Sequence, residues 1–180
     1  MKNQFASYFD KPEFKRTFAH YEDMLLSGSS FYFEATELTD IAEYYAMLGD
    51  SHKAEAALDY AIRLHPDNLD VLIFKARARL INGHLDEAKH ILESITDNND
   101  REVLFLRAEL SLTEQNHKKA NDIFRALIEI EGHEADTYAD IIDMLVDNEK
   151  ADLANDWIEE ATARHPDNKV LSESAAYYYA

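Results

Sequence analysis

Alanine recurs in this chain at a nearly fixed interval, and that interval limits the possible folds more than any other feature. Ala54, Ala88, Ala120 and Ala154 are separated by 34, 32 and 34 residues, and the tetrapeptide His-Pro-Asp-Asn stands at 65–68 and again at 165–168, three periods later. Two independent markers keep the same step. A step of about 20 to 50 residues marks a repeat architecture, in which each unit buries an apolar face against its neighbours. Within one period, Leu38, Ile41, Ala42, Tyr45, Gly49, Ala54, Leu58, Ala61 and Pro66 form the anchors. No single helix holds them on one stripe, because Gly49 divides two runs that each have helical spacing. The segment reads as two helices folded back on one another. Gly49 suits a left-handed stop for the first helix, Ser51 can cap the second, and Pro66 prevents its continuation.

This order of large apolar, apolar, small, aromatic, glycine, small, large apolar, small and proline resembles the tetratricopeptide repeat, a helix-turn-helix unit of about 34 residues. Four copies are expected over 35–168, the first at 35–68. The second, 69–100, carries Leu72, Ala76, Gly83, Ala88 and Leu92, and the third, 101–134, carries Leu104, Ala108, Ala120, Phe124 and Leu127. The fourth, 135–168, carries Tyr138, Ile141, Leu145, Ala154, Ile158, Ala161 and Pro166. The expected fold is all-α, and the resemblance implies a right-handed superhelix, a solenoid of about four such units with flanking helices.

Residues 1–34 read as a lead-in and an N-terminal capping helix over 11–26, with Asp10 as its cap, Pro12 in its first turn and a stripe of Phe14, Phe18, Tyr21 and Leu25. Residues 169–180 read as a C-terminal helix that starts a further repeat, with Ala176 and Tyr179 on the packing face. Its close, Tyr177-Tyr178-Tyr179-Ala180, is apolar where a terminal cap is polar, so either the array continues, the favoured expectation, or this end meets another chain.

Composition narrows the partners. Thirty-six acidic and eighteen basic residues give a formal net charge of −18, which repels phosphate backbones and anionic lipid, so neither nucleic acid nor a membrane surface is expected to bind. No apolar run is long enough to span a bilayer, and Met1 to Arg16 builds no signal-peptide core. There is no cysteine, which excludes disulfides and thiolate metal sites and agrees with a cytoplasmic location.

The copies depart from the repeat pattern at particular places. Ile41 and Tyr45 of the first become Lys75 and Arg79 in the second and Arg107 and Ser111 in the third. Long basic chains at such positions are expected to lie along a helix surface and form partly buried ion pairs. Gln115 and Glu149 replace the turn glycine of the third and fourth copies.

Chemistry is sparse. His84 and His90 are six residues apart and so do not share a helix face. His65 and His165 occupy equivalent turns, where a role beside the following proline is expected, and His133-Glu134 lacks the second histidine of a zinc-protease string. Asp97, Asn99 and Asp100 read as turn and cap residues rather than a calcium loop, and Trp157 as packing. No catalytic residue, metal or cofactor is expected, and no enzyme.

The resemblance implies a concave groove, lined by first helices, that binds an extended or helical segment of a partner protein. Carried over position by position, the groove residues are Thr36, Thr39, Glu43 and Ala46, then Asp70, Ile73, Arg77 and Leu80. The third copy adds Glu102, Phe105, Glu109 and Leu112, and the fourth Asp136, Ala139, Asp143 and Val146. Six acids, Glu43, Asp70, Glu102, Glu109, Asp136 and Asp143, face Arg77, and Ile73, Phe105 and Leu112 form an apolar seam. A branch of the family grips the terminal carboxylate of chaperones with basic and amide side chains. Here those positions carry Thr39, Glu43, Phe74, Glu102 and Leu106, which lack that fork of donors. The expected partner is a basic or amphipathic protein segment. The alternative is structural, a homo-oligomer formed through the aromatic stretches Phe31–Phe33 or Tyr177–Tyr179 with no ligand in the groove.

Overall fold

The computed structural model describes residues 8–169 and residue 171, and among them it contains nine α-helices and no strand. They are α1 (Pro12–Ser27), α2 (Ala35–Met47), α3 (Ser51–Leu64), α4 (Leu69–Ile81), α5 (Leu85–Ser94), α6 (Arg101–Thr113), α7 (His117–Glu131), α8 (Ala135–Asp147) and α9 (Ala151–Arg164). The helices pair α2 with α3, α6 with α7 and α8 with α9, so the all-α helical-repeat fold expected from the period is present. The chain divides into two compact units, Met1–Ala78 and Arg79–Ala180, with the division inside α4. The expected helix over 169–180 lies outside the described residues, apart from Lys169 and a buried Leu171.

The alanine period has a packing cause. Ala54, Ala88, Ala120 and Ala154 are all buried, as are Ala42, Ala76 and Ala108 on the first helices, and a methyl side chain lets two helix backbones approach where a larger one would hold them apart. In the first unit the core joins Leu38, Ile41 and Tyr45 of α2 to Ala57, Leu58 and Ala61 of α3, and to Phe14, Tyr21 and Met24 of α1. The expected stripe on α1 is corrected at its end: Met24 is buried, whereas Leu25 is 47% exposed. In the second unit Phe124, Tyr138, Ile141, Ile142, Leu145 and Trp157 form the centre.

Two expected caps are also corrected. Asp10 does not cap α1, whose N-terminal flank is Lys11 with no side-chain cap; its carboxylate accepts from Lys15 Nζ at 2.9 Å instead. The cap of α3 is Asp50 rather than Ser51, accepting the N–H of Lys53 at 3.0 Å. Asp97 and Asp100 behave as expected. Asp97 accepts the N–H groups of Asn99 and Asp100, and Asp100 caps α6 through the N–H of Val103.

The His-Pro-Asp-Asn box proves to be a structural device. His65 Nε2 lies 2.7 Å from the carbonyl of Phe33, and His165 Nε2 lies 2.9 Å from that of His133, each 32 residues back. A carbonyl only accepts, so Nε2 carries the hydrogen in both. The side chains of Asn68 and Asn168 then accept the N–H of Val71 and Leu171, three residues on, and so cap the helical turn after each box. Each tetrapeptide closes a second helix and ties it to the previous connection, and the first of them also starts α4.

The turns without glycine keep the glycine conformation. Gln115 has φ 59° and Glu149 φ 57°, beside 79° and 75° at Gly49 and Gly83, and all four turns close with the same pair of backbone hydrogen bonds. A side chain in that region costs about 1–2 kcal/mol, partly offset by the greater unfolded-state freedom of glycine. Gln115→Gly and Glu149→Gly are therefore expected to stabilise the second unit by about 0.5 kcal/mol each, measured as a rise in the urea midpoint.

Buried charge at the divergent positions takes two forms. Lys75 is 4% exposed and bonds Glu55 and Asp59 of α3, and Arg79 Nε lies 2.7 Å from Glu87, as expected of ion pairs. Arg107 departs from that expectation. Its guanidinium donates to the carbonyls of Leu92 and Ile95 and to Asn98 Oδ1, so it closes the C-terminal end of α5 rather than neutralising a carboxylate.

Candidate functional site

The first helices α2, α4, α6 and α8 carry every position singled out as groove-facing, and each unit presents its own part. In the first unit the α2 face opposite the core carries Thr36, Thr39 and Glu43, with Asp40 beside them. Glu43 is half-buried, and burial together with the charge of Asp40 raises its carboxyl above the ordinary range. Asp40 is raised mainly by burial, and its carboxylate accepts the hydroxyl of Tyr8. Asp70, in the first turn of α4, and Arg77, two turns on, are exposed.

In the second unit Glu102 is exposed on the first turn of α6, and Phe105 and Glu109 are half-buried. On α8, Asp136 and Asp143 are exposed together with Asp140 and Asp147. The four aspartates follow steps of four, three and four, so they share one stripe of the helix. Burial, and then the charges of Asp140 and Asp147, raise the Asp143 carboxyl above its ordinary range. The apolar seam is largely absent from the surface. Leu112 is 0% exposed, Ile73 6% and Leu80 9%, so these three serve the packing and only Phe105 of the seam reaches solvent. The physical reason is the narrowness of a helix that is packed on both flanks: positions one step from the core stripe are enclosed when they are apolar.

One residue on this face has no counterpart among the sequence expectations. Arg101, at the start of α6, donates to Glu131 at the end of α7 and to Asp140 on α8. Its guanidinium carbon stands 5.0 Å from the centre of the Phe105 ring. The available signal was register: Asp40 and Asp140 are three periods apart, like the two His-Pro-Asp-Asn boxes. Among the described residues no group of three or more histidine, aspartate or glutamate side chains is placed to hold a metal ion, and no helix is long and apolar enough to cross a membrane.

Helical hairpins at a fixed step, with first helices that turn carboxylates to solvent, define a helical-repeat protein. Residues 45–110 match the tetratricopeptide repeat family, which supports reading the chain as a tetratricopeptide repeat protein. Such repeats are modules of protein–protein interaction and carry no catalytic chemistry of their own. No curated protein matches the chain.

Proposed function

We propose that this protein is a scaffold whose acidic first-helix faces bind a basic or amphipathic segment of another protein, and that it has no enzymatic activity. The observation that carries the reading is the stripe of Asp136, Asp140, Asp143 and Asp147, four like charges held side by side on α8. The Asp143 carboxyl is raised first by burial and then by repulsion from Asp140 and Asp147. A cationic side chain laid along the stripe relieves that repulsion, whereas water and dilute salt relieve it only in part. Glu102 and Glu109 on α6 extend the same chemistry within the second unit, and Glu43 and Asp70 supply it in the first. A cytoplasmic location fits a cysteine-free chain.

The test is charge reversal. Glu109→Lys combined with Asp143→Lys is expected to weaken binding of a basic amphipathic peptide by about tenfold at physiological salt, read by fluorescence anisotropy, with little change in helix content by circular dichroism. Added salt should weaken the wild-type interaction. Binding that ignores both changes overturns the reading. The pH dependence has a definite sign. A carboxyl with a raised pKa is charged at neutral pH and protonates early as pH falls, so affinity is full near pH 7 and declines above the pH at which an ordinary surface carboxylate titrates.

A second reading rests on an apolar surface. Leu25, Leu26, Phe31 and Tyr32 are 47%, 84%, 40% and 66% exposed within eight residues of sequence, while Phe33 is buried. A patch of this kind suits self-association, and light scattering over a range of protein concentrations would register it as a rise in mass. The other aromatic stretch, Tyr177–Tyr179, lies outside the described residues.

A further inference from the structure

The acidic face of the second unit already holds one guanidinium. Arg101 lies over Phe105 and bonds Asp140 and Glu131, so the ring is a floor and the two carboxylates are walls. A planar cation with forked N–H donors uses floor and walls at once, by stacking and by bidentate bonding, whereas an ammonium is a point charge without a face to stack.

We propose that Arg101 is a latch on this face: an arginine side chain of the partner segment takes its seat on Phe105 and Asp140, and Arg101 turns out to solvent. The inference deepens the reading of the acidic faces as docking surfaces and rests on it. Three observations support exchange over permanent structure. Arg101 and Asp140 have side chains 36% and 55% exposed, so the pair opens without disturbing the core. Arg101 is the first residue of α6, where rotation about its own side-chain bonds is sufficient to vacate the ring. The neighbouring Asp136, Asp143 and Asp147 stay exposed and lie ready to hold further cations of the same segment. The equivalent Asp40 is also held by a side chain of this chain, the Tyr8 hydroxyl, with Lys11 Nζ 5.0 Å above the Tyr8 ring. In both copies the carboxylate at this register is occupied from within.

Removing Arg101 also adds a negative charge to the face, so the test separates seat from charge. A fluorescein-labelled peptide of alternating arginine and alanine, and its lysine counterpart, are titrated against the wild-type chain, Arg101→Gln, Arg101→Lys and Arg16→Gln. Arg16 is exposed on α1 in the first unit, and its removal reports the effect of charge alone. For Arg101→Gln the latch predicts about tenfold tighter binding of the arginine peptide than for wild type, and a smaller gain for the lysine peptide. Arg101→Lys keeps the net charge and still loses stacking and fork, so it should gain about threefold. Arg16→Gln should move affinity by less than about twofold. The proposal is overturned if Arg101→Gln gains no more than Arg16→Gln, if arginine and lysine peptides gain equally, or if Arg101→Lys binds no better than wild type. The charge reversal at Glu109 and Asp143 tests the docking reading separately, because the latch is judged on ratios between Arg101 variants.

Discussion

Replacing Trp157 with alanine is expected to lower the unfolding free energy of the second unit by about 3–5 kcal/mol, the range for deleting a large buried aromatic. Trp157 is 1% exposed. Its indole meets Phe124 edge-on at 6.0 Å and Tyr138 at 5.9 Å, and the Arg125 guanidinium carbon lies 4.0 Å from its ring centre. Its Nε1–H donates to Asn121 Oδ1 at 3.0 Å. The substitution therefore removes apolar burial, a cation–π contact and a hydrogen bond together, and the gap between α7 and α9 cannot refill without moving both. Trp157→Phe restores much of the volume but leaves Asn121 without the indole donor, so it should cost about 1–2 kcal/mol. Urea denaturation followed by circular dichroism gives both numbers. The wild-type chain offers a second probe, because its one tryptophan reports unfolding of this unit by fluorescence. A loss below about 1 kcal/mol for the alanine variant would mean that α9 does not depend on this contact.

The hairpins were legible because their signal is redundant. Small residues recur where helices touch, and glycine or its left-handed substitute recurs where the first helix stops, so a failure at one marker is covered by another. Caps were less legible because adjacent polar residues compete for one role. Asp50 and Ser51 both carry a capping oxygen, and a single residue of offset, fixed by the turn after Gly49, decides between them. The site was only half legible. Carboxylates at the transferred positions could be read one by one, but the burial of Leu112 and the reach of Arg101 across to α8 depend on how close neighbouring helices stand. A linear pattern does not encode that distance. Of the six acids, only Asp136 and Asp143 fall in the stripe of four aspartates on α8, whose Asp140 is bonded by Arg101.

The second large effect concerns Lys75, which occupies in α4 the position that isoleucine holds in α2. At 4% exposure its ammonium is removed from water and depends on Glu55 and Asp59 of α3. Combining Glu55→Ala with Asp59→Ala leaves a buried cation without those two carboxylates, which is expected to cost about 3 kcal/mol, at the lower end for a broken buried pair because Asp59 is itself 61% exposed. Lys75→Met should behave differently. It removes the charge together with its need for partners and keeps the length of the side chain, so stability should change by less than about 1 kcal/mol in either direction. The discriminating measurement is the triple variant. If desolvation of the ammonium is what makes the carboxylates necessary, adding Lys75→Met to the double alanine variant recovers about 2 kcal/mol of the loss, a coupling readable from urea midpoints at constant m-value. If the triple variant is no more stable than the double, the carboxylates stabilise α3 by some other route, and the isoleucine-to-lysine exchange between the first two copies is neutral to packing. Recovery would instead mean that the second repeat keeps a charge at its seam with the first where an apolar side chain would hold as well. That arrangement favours one pairing of helices, since any other partner for α4 would have to supply the same two carboxylates.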